Sequence, residues 1–415
     1  MAKILIIGGG AAGFAAALTA AKTLPGGQIT LLERLDRVGK KILATGNGRC
    51  NLTNMNAGPD HFYSNDKGLL RQALENMPPR QVLDFFGELG LLCQEEEEGR
   101  VYPYCKQASM VLDVLLLALE RAKIDVQCGC TVTSIGRNKG KFTVKTADGR
   151  SFSADRVILT TGGKAAPKLG SDGSGYVLAQ QLGHRCVPVY PALVALKCDM
   201  NGLGGLKGIR AQAGLTLMAG DHTLAQDVGE VQFTEYGLSG IPAMQVSGRL
   251  SRLRKGEKCT ALVDLFPQWQ SDALFRYLKT RQKADPRGTL ETLLLGTVHK
   301  RLAYAVLKSA GLQPLSRPCG TLTAAELHRL ADMLKAWPFP VIGTQGWEFA
   351  QVAGGGIPLK EVNPSTMEST LVPGLYLAGE VLDVIGDCGG FNLHWAWCSG
   401  IRAAKEAADE DLYRM

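Results

Sequence analysis

The sequence carries a glycine-rich segment of the type that holds the phosphates of a dinucleotide. Gly8, Gly10 and Gly13 fit the pattern G-x-G-x-x-G between an apolar run at residues 3–7 and a helix-like run that begins at Ala11. The first glycine permits a tight turn, the second lets the backbone approach a pyrophosphate, and the third allows close helix–strand packing. The N-terminus of the following helix offers N–H donors and a partial positive charge to the phosphates.

A carboxylate follows at the distance expected for ribose recognition. Glu33 ends the next apolar run, 20 residues after Gly13. An acid at that place accepts hydrogen bonds from a ribose hydroxyl. Because it also disfavours a 2′-phosphate, the pattern leaves NAD and FAD as candidate ligands.

Two further segments favour FAD. Residues 39–54 form a loop rich in Gly, Asn, Thr and Arg, whose many hydrogen-bond donors suit the rest of a dinucleotide and a polar ring edge. Near the other end of the chain, a strand-like run leads into Ala378-Gly379-Glu380, and residues 387–393 pass through two glycines into a final helix. Such a helix start presents N–H groups to the N1/C2 edge of a flavin, which becomes anionic on reduction. We therefore predict non-covalent FAD at a site assembled from both ends of the chain.

Candidate catalytic residues lie in the same two segments. Reduction of a C=C bond needs a hydride from flavin N5 and a proton from an acid on the other carbon. The thiols of Cys50 and Cys388 are candidates for that acid, and the alternative is that each only packs. Arg49 could orient an anionic or carbonyl substrate, and a structural ion pair is the alternative.

Several motifs together resemble a known bacterial family. The loop at 39–54, Thr160-Thr161-Gly162-Gly163 and residues 378–393 are similar to those of NAD(P)/FAD-dependent flavoproteins, and so are residues 99–103, 233–240 and 354–367. Members of that family have been assigned as aminoacetone oxidase, as a bile-acid-pathway flavoprotein and as ribosomal RNA dihydrouridine synthase. The resemblance covers the whole chain.

The resemblance implies an FAD domain built from both termini, with a β-barrel and a helical insertion between its halves. By position in the family's motifs, the residues that would lie against FAD are Ala12, Glu33, Cys50, Val132, Glu380, Asn392 and Leu393. Neighbouring positions of the same segments complete the candidate cofactor-binding set: Arg34, Lys41, Thr45, Gly46, Arg49, Asn51, Thr161, Gly162, Gly379 and Gly390.

The order of predicted strands and helices around these residues indicates an α/β fold. We expect a Rossmann-like FAD-binding domain from residues 1–191 and 341–415. Between its parts, short alternating runs with glycine-rich turns predict an antiparallel β-barrel-like domain at 192–266, and helical periodicity predicts a basic helical insertion at 267–340. The Pro338-Phe339-Pro340 segment marks the end of that insertion.

Positive charge is concentrated in one internal segment. The net charge is +7, and residues 249–340 alone carry 16 Lys/Arg against 7 Asp/Glu. Five basic side chains fall within twelve residues: Arg276, Lys279, Arg281, Lys283 and Arg287. The segment suits a polyanionic partner such as ribosomal RNA, and the alternative is a solvated helical surface.

Three functions are compatible with these features, and the basic segment favours the first. The first is a reductase that saturates uridine in ribosomal RNA, as in dihydrouridine synthesis. The second is a small-molecule oxidase or reductase acting on an amine or an enone, and the third is a non-catalytic flavin-binding factor. No second G-x-G-x-x-G motif lies between a strand and a helix, so we expect NAD(P)H to dock transiently as the reductant.

Metal and membrane functions are not expected. The six histidines form no ligand cluster, and the eleven cysteines are scattered, as in a protein with reduced thiols. The apolar run at residues 111–119 is far shorter than the ~20 residues that a membrane-spanning helix needs. The N-terminus lacks a secretory pattern, and we expect a cytoplasmic protein.

Overall fold

The computed structural model describes residues 2–254 and 256–409. The strands are β1 (Lys3–Ile7), β2 (Gln28–Leu32), β3 (Thr53–Asn54), β4 (Phe62–Tyr63), β5 (Cys93–Glu95), β6 (Arg100–Pro103), β7 (Asp125–Gln127), β8 (Val132–Asn138), β9 (Lys141–Thr146), β10 (Ser151–Ala154), β11 (Arg156–Leu159), β12 (Val187–Ala192), β13 (Leu196–Cys198), β14 (Arg210–Ala219), β15 (His222–Phe233), β16 (Gly237–Gly240), β17 (Cys259–Asp264), β18 (Trp337–Thr344), β19 (Val352–Gly356), β20 (Leu375–Leu377) and β21 (Ile385–Gly386). The α-helices are α1 (Ala11–Thr23), α2 (Lys40–Ala44), α3 (Lys67–Leu74), α4 (Pro79–Glu88), α5 (Ala108–Arg121), α6 (Ser174–Gln181), α7 (Ile241–Ser247), α8 (Ser271–Ala284), α9 (Leu290–Leu293), α10 (Lys300–Ser309), α11 (Ala324–Lys335) and α12 (Phe391–Ala407).

The chain divides into two compact units. The first joins the residues up to Pro191 with those from Gln351 onward, and the second spans Ala192–Ala350. Each unit has its own cluster of buried apolar side chains.

The first unit is built on a five-stranded parallel sheet in the order β20-β11-β1-β2-β7. Four of its strands, β1, β2, β11 and β20, are short apolar runs that are buried beyond their first residue, as the sequence pattern predicts for a sheet covered on both faces, whereas the edge strand β7 is polar and partly exposed. The β1-α1-β2 unit has the predicted order, and the strand β20 comes from the C-terminal part of the chain. The Rossmann-like α/β fold is confirmed.

Small residues let two helices of this unit pack closely. Helix α1 is mostly alanine and is almost wholly buried. A Cβ atom at Gly400 of α12 would overlap the carbonyl oxygen of Ala12 on α1, so only glycine permits this approach. The contact fixes the N-terminal glycine turn to the C-terminal helix.

The second unit contains a closed antiparallel barrel of six strands, in the order β13-β16-β15-β14-β17-β18. The predicted β-barrel is thus confirmed, with alternating burial along β17 typical of a barrel wall. Helices α8–α11 share the buried apolar cluster of the barrel, which includes Leu274, Leu302 and Leu330.

One strand of the barrel differs from the sequence expectation. We assigned residues 338–340 to the end of the helical insertion, but they lie in β18, which pairs with both β17 and β13 and so closes the barrel. Trp337 and Phe339 are buried whereas Pro338 and Pro340 are exposed, so the period-2 pattern outweighs the two prolines. The first unit accordingly resumes at Gln351 and not at residue 341.

Candidate functional site

The N-terminus of α1 lies directly after the central strand β1. Its N-cap residue is Gly10, and no side chain caps the N–H groups of the first turn, which includes Ala12 and Gly13. A Cβ atom at Gly10 would point into open space, whereas one at Gly13 would overlap the carbonyl oxygen of Gly8. Gly10 is therefore not needed for protein packing, which leaves room for a ligand to approach the helix.

The carboxylate of Glu33 closes the glycine turn. Its Oε2 accepts from the N–H of Gly9 at 2.8 Å and its Oε1 accepts from the N–H of Leu35 at 2.9 Å. Each oxygen retains acceptor capacity for a hydroxyl. Val132, at the start of β8, is buried. Two residues before it, the N–H of Cys130 donates to the carbonyl of Glu33.

Arg34 lies next to Glu33 but holds a protein loop. Its guanidinium donates to the carbonyls of Pro167 and Gly170 at 3.2–3.3 Å and lies 3.4 Å from a carboxylate oxygen of Asp172. These contacts hold the loop at 167–172 against Arg34. The predicted contact of Arg34 with the cofactor stays a prediction.

A partly buried ion pair joins the N-terminal loop to the C-terminal element. Lys41 Nζ lies 2.9 Å from Oε2 of Glu380, and Oε1 of Glu380 accepts from the N–H of Ala353 at 2.7 Å. Beside this pair, the hydroxyl of Thr161 is buried without a hydrogen-bond partner, and Gly162 adopts a φ of +71°. Four of the predicted residues thus meet at the carboxyl ends of β11 and β20.

The loop that contains Cys50 is tightly turned. Gly46 and Cys50 have positive φ angles of 56° and 59°, the latter an unusual conformation for a residue with a side chain. The hydroxyl of Thr45 donates to the carbonyl of Ile42 at 2.6 Å. Cys50 is fully buried, and burial raises the pKa of its thiol to about 12. The thiol therefore stays protonated at neutral pH and is a weak acid.

The start of α12 lies against this loop. Gly390 is the N-cap with a φ of +101°, and no side chain caps the helix. A Cβ atom at Gly390 would lie 2.7 Å from Oδ1 of Asn51, a buried acceptor that has no hydrogen-bond partner. The structure thereby brings together the two segments that the sequence analysis assigned to the ring of a flavin.

The side chain of Asn392 shapes the turn before α12. Its amide donates to the carbonyls of Gly386 and Asp387 at 2.8 and 3.2 Å, and its Oδ1 accepts from the N–H of Gly386 at 2.8 Å. Leu393 is partly buried against the apolar cluster of this unit. Asn392 therefore positions the helix start, where its own backbone N–H lies in the uncapped first turn.

Gly379 is fixed on α12 from both sides. Its N–H donates to the hydroxyl of Ser399 at 2.9 Å, and its carbonyl accepts from the indole of Trp395 at 3.1 Å. With a φ of +78°, it turns the chain from β20 toward Glu380. A Cβ atom there would approach that of Ala12 at 3.0 Å.

These features fit an elongated flavin dinucleotide. The start of α1 contacts α12 at Gly400, nine residues beyond Phe391, which corresponds to about 13 Å along the helix. Two uncapped N-termini at that separation suit a pyrophosphate at α1 and a ring edge at α12. The Oδ1 of Asn51, buried beside Gly390, has no hydrogen-bond partner, and a donor of a bound ring would supply one.

Arg49 is engaged with protein groups. Its guanidinium donates to the hydroxyl of Tyr102 at 3.1 Å, stacks over that ring at 4.2 Å and pairs with Glu96 at 3.3 Å. The structural ion pair is therefore the better interpretation of Arg49. Cys388 is half-buried in the turn before Gly390.

Sequence reasoning missed a histidine–carboxylate pair at the same helix start. His61 Nδ1 lies 2.9 Å from Oδ2 of Asp387, and the His61 ring stacks on Phe391 with 4.6 Å between ring centroids. The two residues are 326 positions apart. Asp387 lies within a segment that the sequence analysis singled out, but no spacing pointed to His61.

Comparisons with known proteins place the chain in a family. The family model described as the HI0933-like protein Rossmann domain matches residues 2–406. The chain belongs to this family of Rossmann flavoproteins. Members of the family are flavin-dependent oxidoreductases, and the chain is an enzyme of this class.

Three relatives are similar to this chain over nearly its full length. A 3-dehydro-bile acid delta(4,6)-reductase of Clostridium scindens is 39% identical, covering 99% of this chain and 100% of the relative. The ribosomal RNA dihydrouridine synthase of Haemophilus influenzae is 28% identical, with 96% and 97% of the two chains covered. That of Escherichia coli is 29% identical, with 97% of each chain covered.

In the described residues, no helix is both long and apolar enough to cross a membrane. In the same part of the chain, no group of three or more His, Cys, Asp or Glu side chains could hold a metal ion.

Proposed function

We propose that this protein is an FAD-dependent reductase that saturates a C=C bond conjugated to a carbonyl group in a small apolar substrate. NAD(P)H is the proposed electron donor. The observation that carries the proposal is the pair of uncapped helix N-termini, those of α1 and α12, held in one unit with the unpartnered Asn51 Oδ1 beside the second.

The names of the relatives support the same class of bond. A 3-dehydro bile acid carries a ketone at C3, and a delta(4) bond is conjugated with it. Dihydrouridine is uridine saturated at a C=C bond that is conjugated to a carbonyl. Polarisation by the carbonyl makes the far carbon of either bond electrophilic, and thus able to accept a hydride.

The residues of this chain would bind and orient the reactants. When bound, FAD would supply a hydride to the electrophilic carbon. The first-turn N–H groups of α1 and the carboxylate of Glu33 would hold its pyrophosphate and ribose. The N–H groups of Asn392 and Leu393 would stabilise negative charge at the ring edge, and Lys41 with Glu380 would keep the two chain segments in place.

The test is an anaerobic half-reaction experiment on the purified protein. Heat denaturation should release FAD, and NAD(P)H should bleach the bound flavin. A 3-oxo-Δ4 steroid should then restore the flavin colour and gain two hydrogen atoms by mass spectrometry. Release of FMN, or a reduced flavin that the steroid does not reoxidise, would contradict the proposal.

Replacement of Glu33 tests the ribose contact. We expect Glu33→Ala to weaken FAD binding about 10–100-fold, because each hydrogen bond to a charged acceptor contributes roughly 1.5–3 kcal/mol. Flavin fluorescence titration of the apoprotein measures the affinity. Glu88→Ala, at an exposed ion pair with Lys22, is the matched control and should bind FAD like wild type. Equal affinity of the two variants would mean that Glu33 does not touch the ribose.

Ribosomal RNA is the second candidate substrate, supported by the basic segment and by two relatives. Much of that positive charge serves the fold. Arg281 donates to the carbonyls of Thr292 and Leu295, at 3.3 and 3.1 Å. Further basic side chains of the segment with protein partners are Lys300, Arg301, Arg317, Arg329 and Lys335. These contacts favour a small substrate over RNA.

A stripe of exposed cations remains on α8. Arg276, Lys279 and Lys283 are exposed at i, i+3 and i+7 spacing, which places them on one helix face. If RNA binds there, changing all three to Gln should weaken binding. The slope of log affinity against log salt concentration should also fall by roughly 0.7–0.9 for each phosphate that the variant no longer binds. Filter binding of a ribosomal RNA fragment at several salt concentrations measures both effects.

Arg281 is left unchanged in that variant, because its replacement would disturb the fold. FAD content is the control and should equal that of wild type. If the triple variant binds RNA like wild type at every salt concentration, the α8 stripe is a solvated surface.

A further inference from the structure

We propose that His61 and Asp387 form the proton-donating pair of this enzyme, with His61 Nε2 directed at the bound substrate. The inference rests on the proposed function, since it assigns the acid that reduction of a conjugated C=C bond requires. It assigns the step to a histidine instead of the buried thiol of Cys50.

The pair is rigid and one end of it is accessible. His61 Nδ1 lies 2.9 Å from Oδ2 of Asp387, and the N–H of Asp387 donates to the carbonyl of His61 at 2.9 Å. The short strands β4 and β21 join the same two segments. The His61 side chain is 42% exposed and that of Asp387 is 15% exposed. With Nδ1 facing the carboxylate, Nε2 is the nitrogen that remains for a substrate.

The pair lies where the ring of the cofactor is expected. The His61 ring stacks on Phe391, the first residue of α12, at an interplanar angle of 20°. Asp387 comes three residues before the N-cap Gly390, and its carbonyl is held by the side chain of Asn392. His61 is therefore fixed to the helix start whose N–H groups would meet the flavin edge.

Other acids in this unit are less suited to the step. Cys50 is fully buried and burial raises the pKa of its thiol to about 12. His184 and His394 are buried, and both ring nitrogens of each have protein partners. Among the histidines described in the first unit, His61 is thus the one with an exposed ring.

The chemical step conserves atoms and charge. When bound, the reduced cofactor would supply a hydride to the carbon β to the carbonyl, which leaves the C=C electron pair on the α carbon. That carbon takes the proton of His61 Nε2, so one N–H bond breaks and one C–H bond forms. The neutral imidazole then recovers a proton from water. Asp387 lies against Nδ1 and so orients the ring.

The first experiment separates the two halves of the reaction in stopped flow. In His61→Gln, bleaching of the flavin by NAD(P)H should stay within twofold of wild type. Reoxidation by the 3-oxo-Δ4 steroid should slow by a factor of about 100 or more, the range for loss of a general acid. Asp387→Asn should slow the same half-reaction by a smaller factor. His222→Gln, at an exposed histidine of the barrel, is the matched control and should behave as wild type.

The second experiment tests, without turnover, whether the bound substrate covers His61. Diethyl pyrocarbonate should label His61 and His222 of the oxidised holoprotein, as read by peptide mass spectrometry. The steroid should protect His61 and leave His222 labelled as before. A slowed reoxidation together with this protection supports the assignment.

Each contrary result has a distinct meaning. If wild type is reoxidised by the steroid but His61→Gln is equally fast, or His61 is labelled as before, then His61 is not the donor. If wild type itself is not reoxidised, the proposed function is wrong and the assignment of His61 falls with it.

Discussion

The Gly10→Ala variant should fold as wild type does and yet bind FAD at least tenfold more weakly. A Cβ atom at Gly10 meets no protein atom within 4 Å, and its φ of −89° is open to alanine. Alanine is a slightly poorer N-cap than glycine, but it also restricts the unfolded chain, so the two small effects on stability oppose each other. The added methyl group would instead occupy the space through which a pyrophosphate reaches the helix.

Gly13→Ala provides the contrasting case for this prediction. Its Cβ atom would overlap the carbonyl oxygen of Gly8, so the turn itself must move, at a cost of roughly 1–3 kcal/mol. Urea unfolding of the apoproteins should show a lower free energy of unfolding for Gly13→Ala and not for Gly10→Ala, whereas fluorescence titration should show weaker FAD binding for both. FAD affinity equal to wild type in Gly10→Ala would remove α1 as the phosphate site.

Local signals explain why so much of the first unit was predictable. The turn at Gly8–Gly13 and the carboxylate at Glu33 belong to one continuous segment whose spacing follows from helix and strand geometry. Sequence also indicated that residues 39–54 and 378–393 serve one ligand, and the structure brings Asn51 beside Gly390.

Contacts between distant segments explain what the sequence could not show. Barrel closure by β18 depends on pairing with Cys259–Asp264 and Leu196–Cys198, which no local pattern reveals, and two prolines argued against a strand. The His61–Asp387 pair likewise arises only because β4 and β21 meet. The count of charges likewise could not distinguish the exposed Lys283 from Arg281, which donates to backbone carbonyl groups.

A buried histidine at the start of α12 should make the stability of the same region depend on pH. His394 is fully buried in the first turn of α12, where its Nε2 donates to the carbonyl of Met77 at 2.9 Å. Its Nδ1 therefore accepts from the hydroxyl of Thr53, at 2.8 Å. Burial lowers the pKa of His394 from 6.5 to about 4, against the opposing effect of the Met77 carbonyl. The neutral ring thus ties α12 to β3 and to the segment after α3.

The coupling between proton binding at His394 and folding gives the direction in which pH changes the free energy of unfolding. Between pH 6.5 and pH 4, the unfolded chain binds a proton at this histidine and the folded chain does not, so acid favours unfolding. The stabilisation is fully present above pH 6.5 and is lost as the pH falls toward 4. From pH 7.5 to pH 5, this one group should lower the free energy of unfolding by about 2 kcal/mol. Because α12 carries the expected flavin contacts, the bound flavin should also dissociate more readily at pH 5.

Comparison with His394→Asn isolates this contribution. Asparagine keeps an acceptor near Thr53 but does not titrate, so the variant should be less stable than wild type at pH 7.5 and should lose about 2 kcal/mol less on acidification to pH 5. Urea unfolding of both apoproteins at the two pH values gives the difference, in which the buried His184, common to both, cancels. His222→Asn, at an exposed histidine, should retain the full pH dependence of wild type. An equal loss of stability in wild type and His394→Asn would show that His394 is not the group that makes this region sensitive to acid.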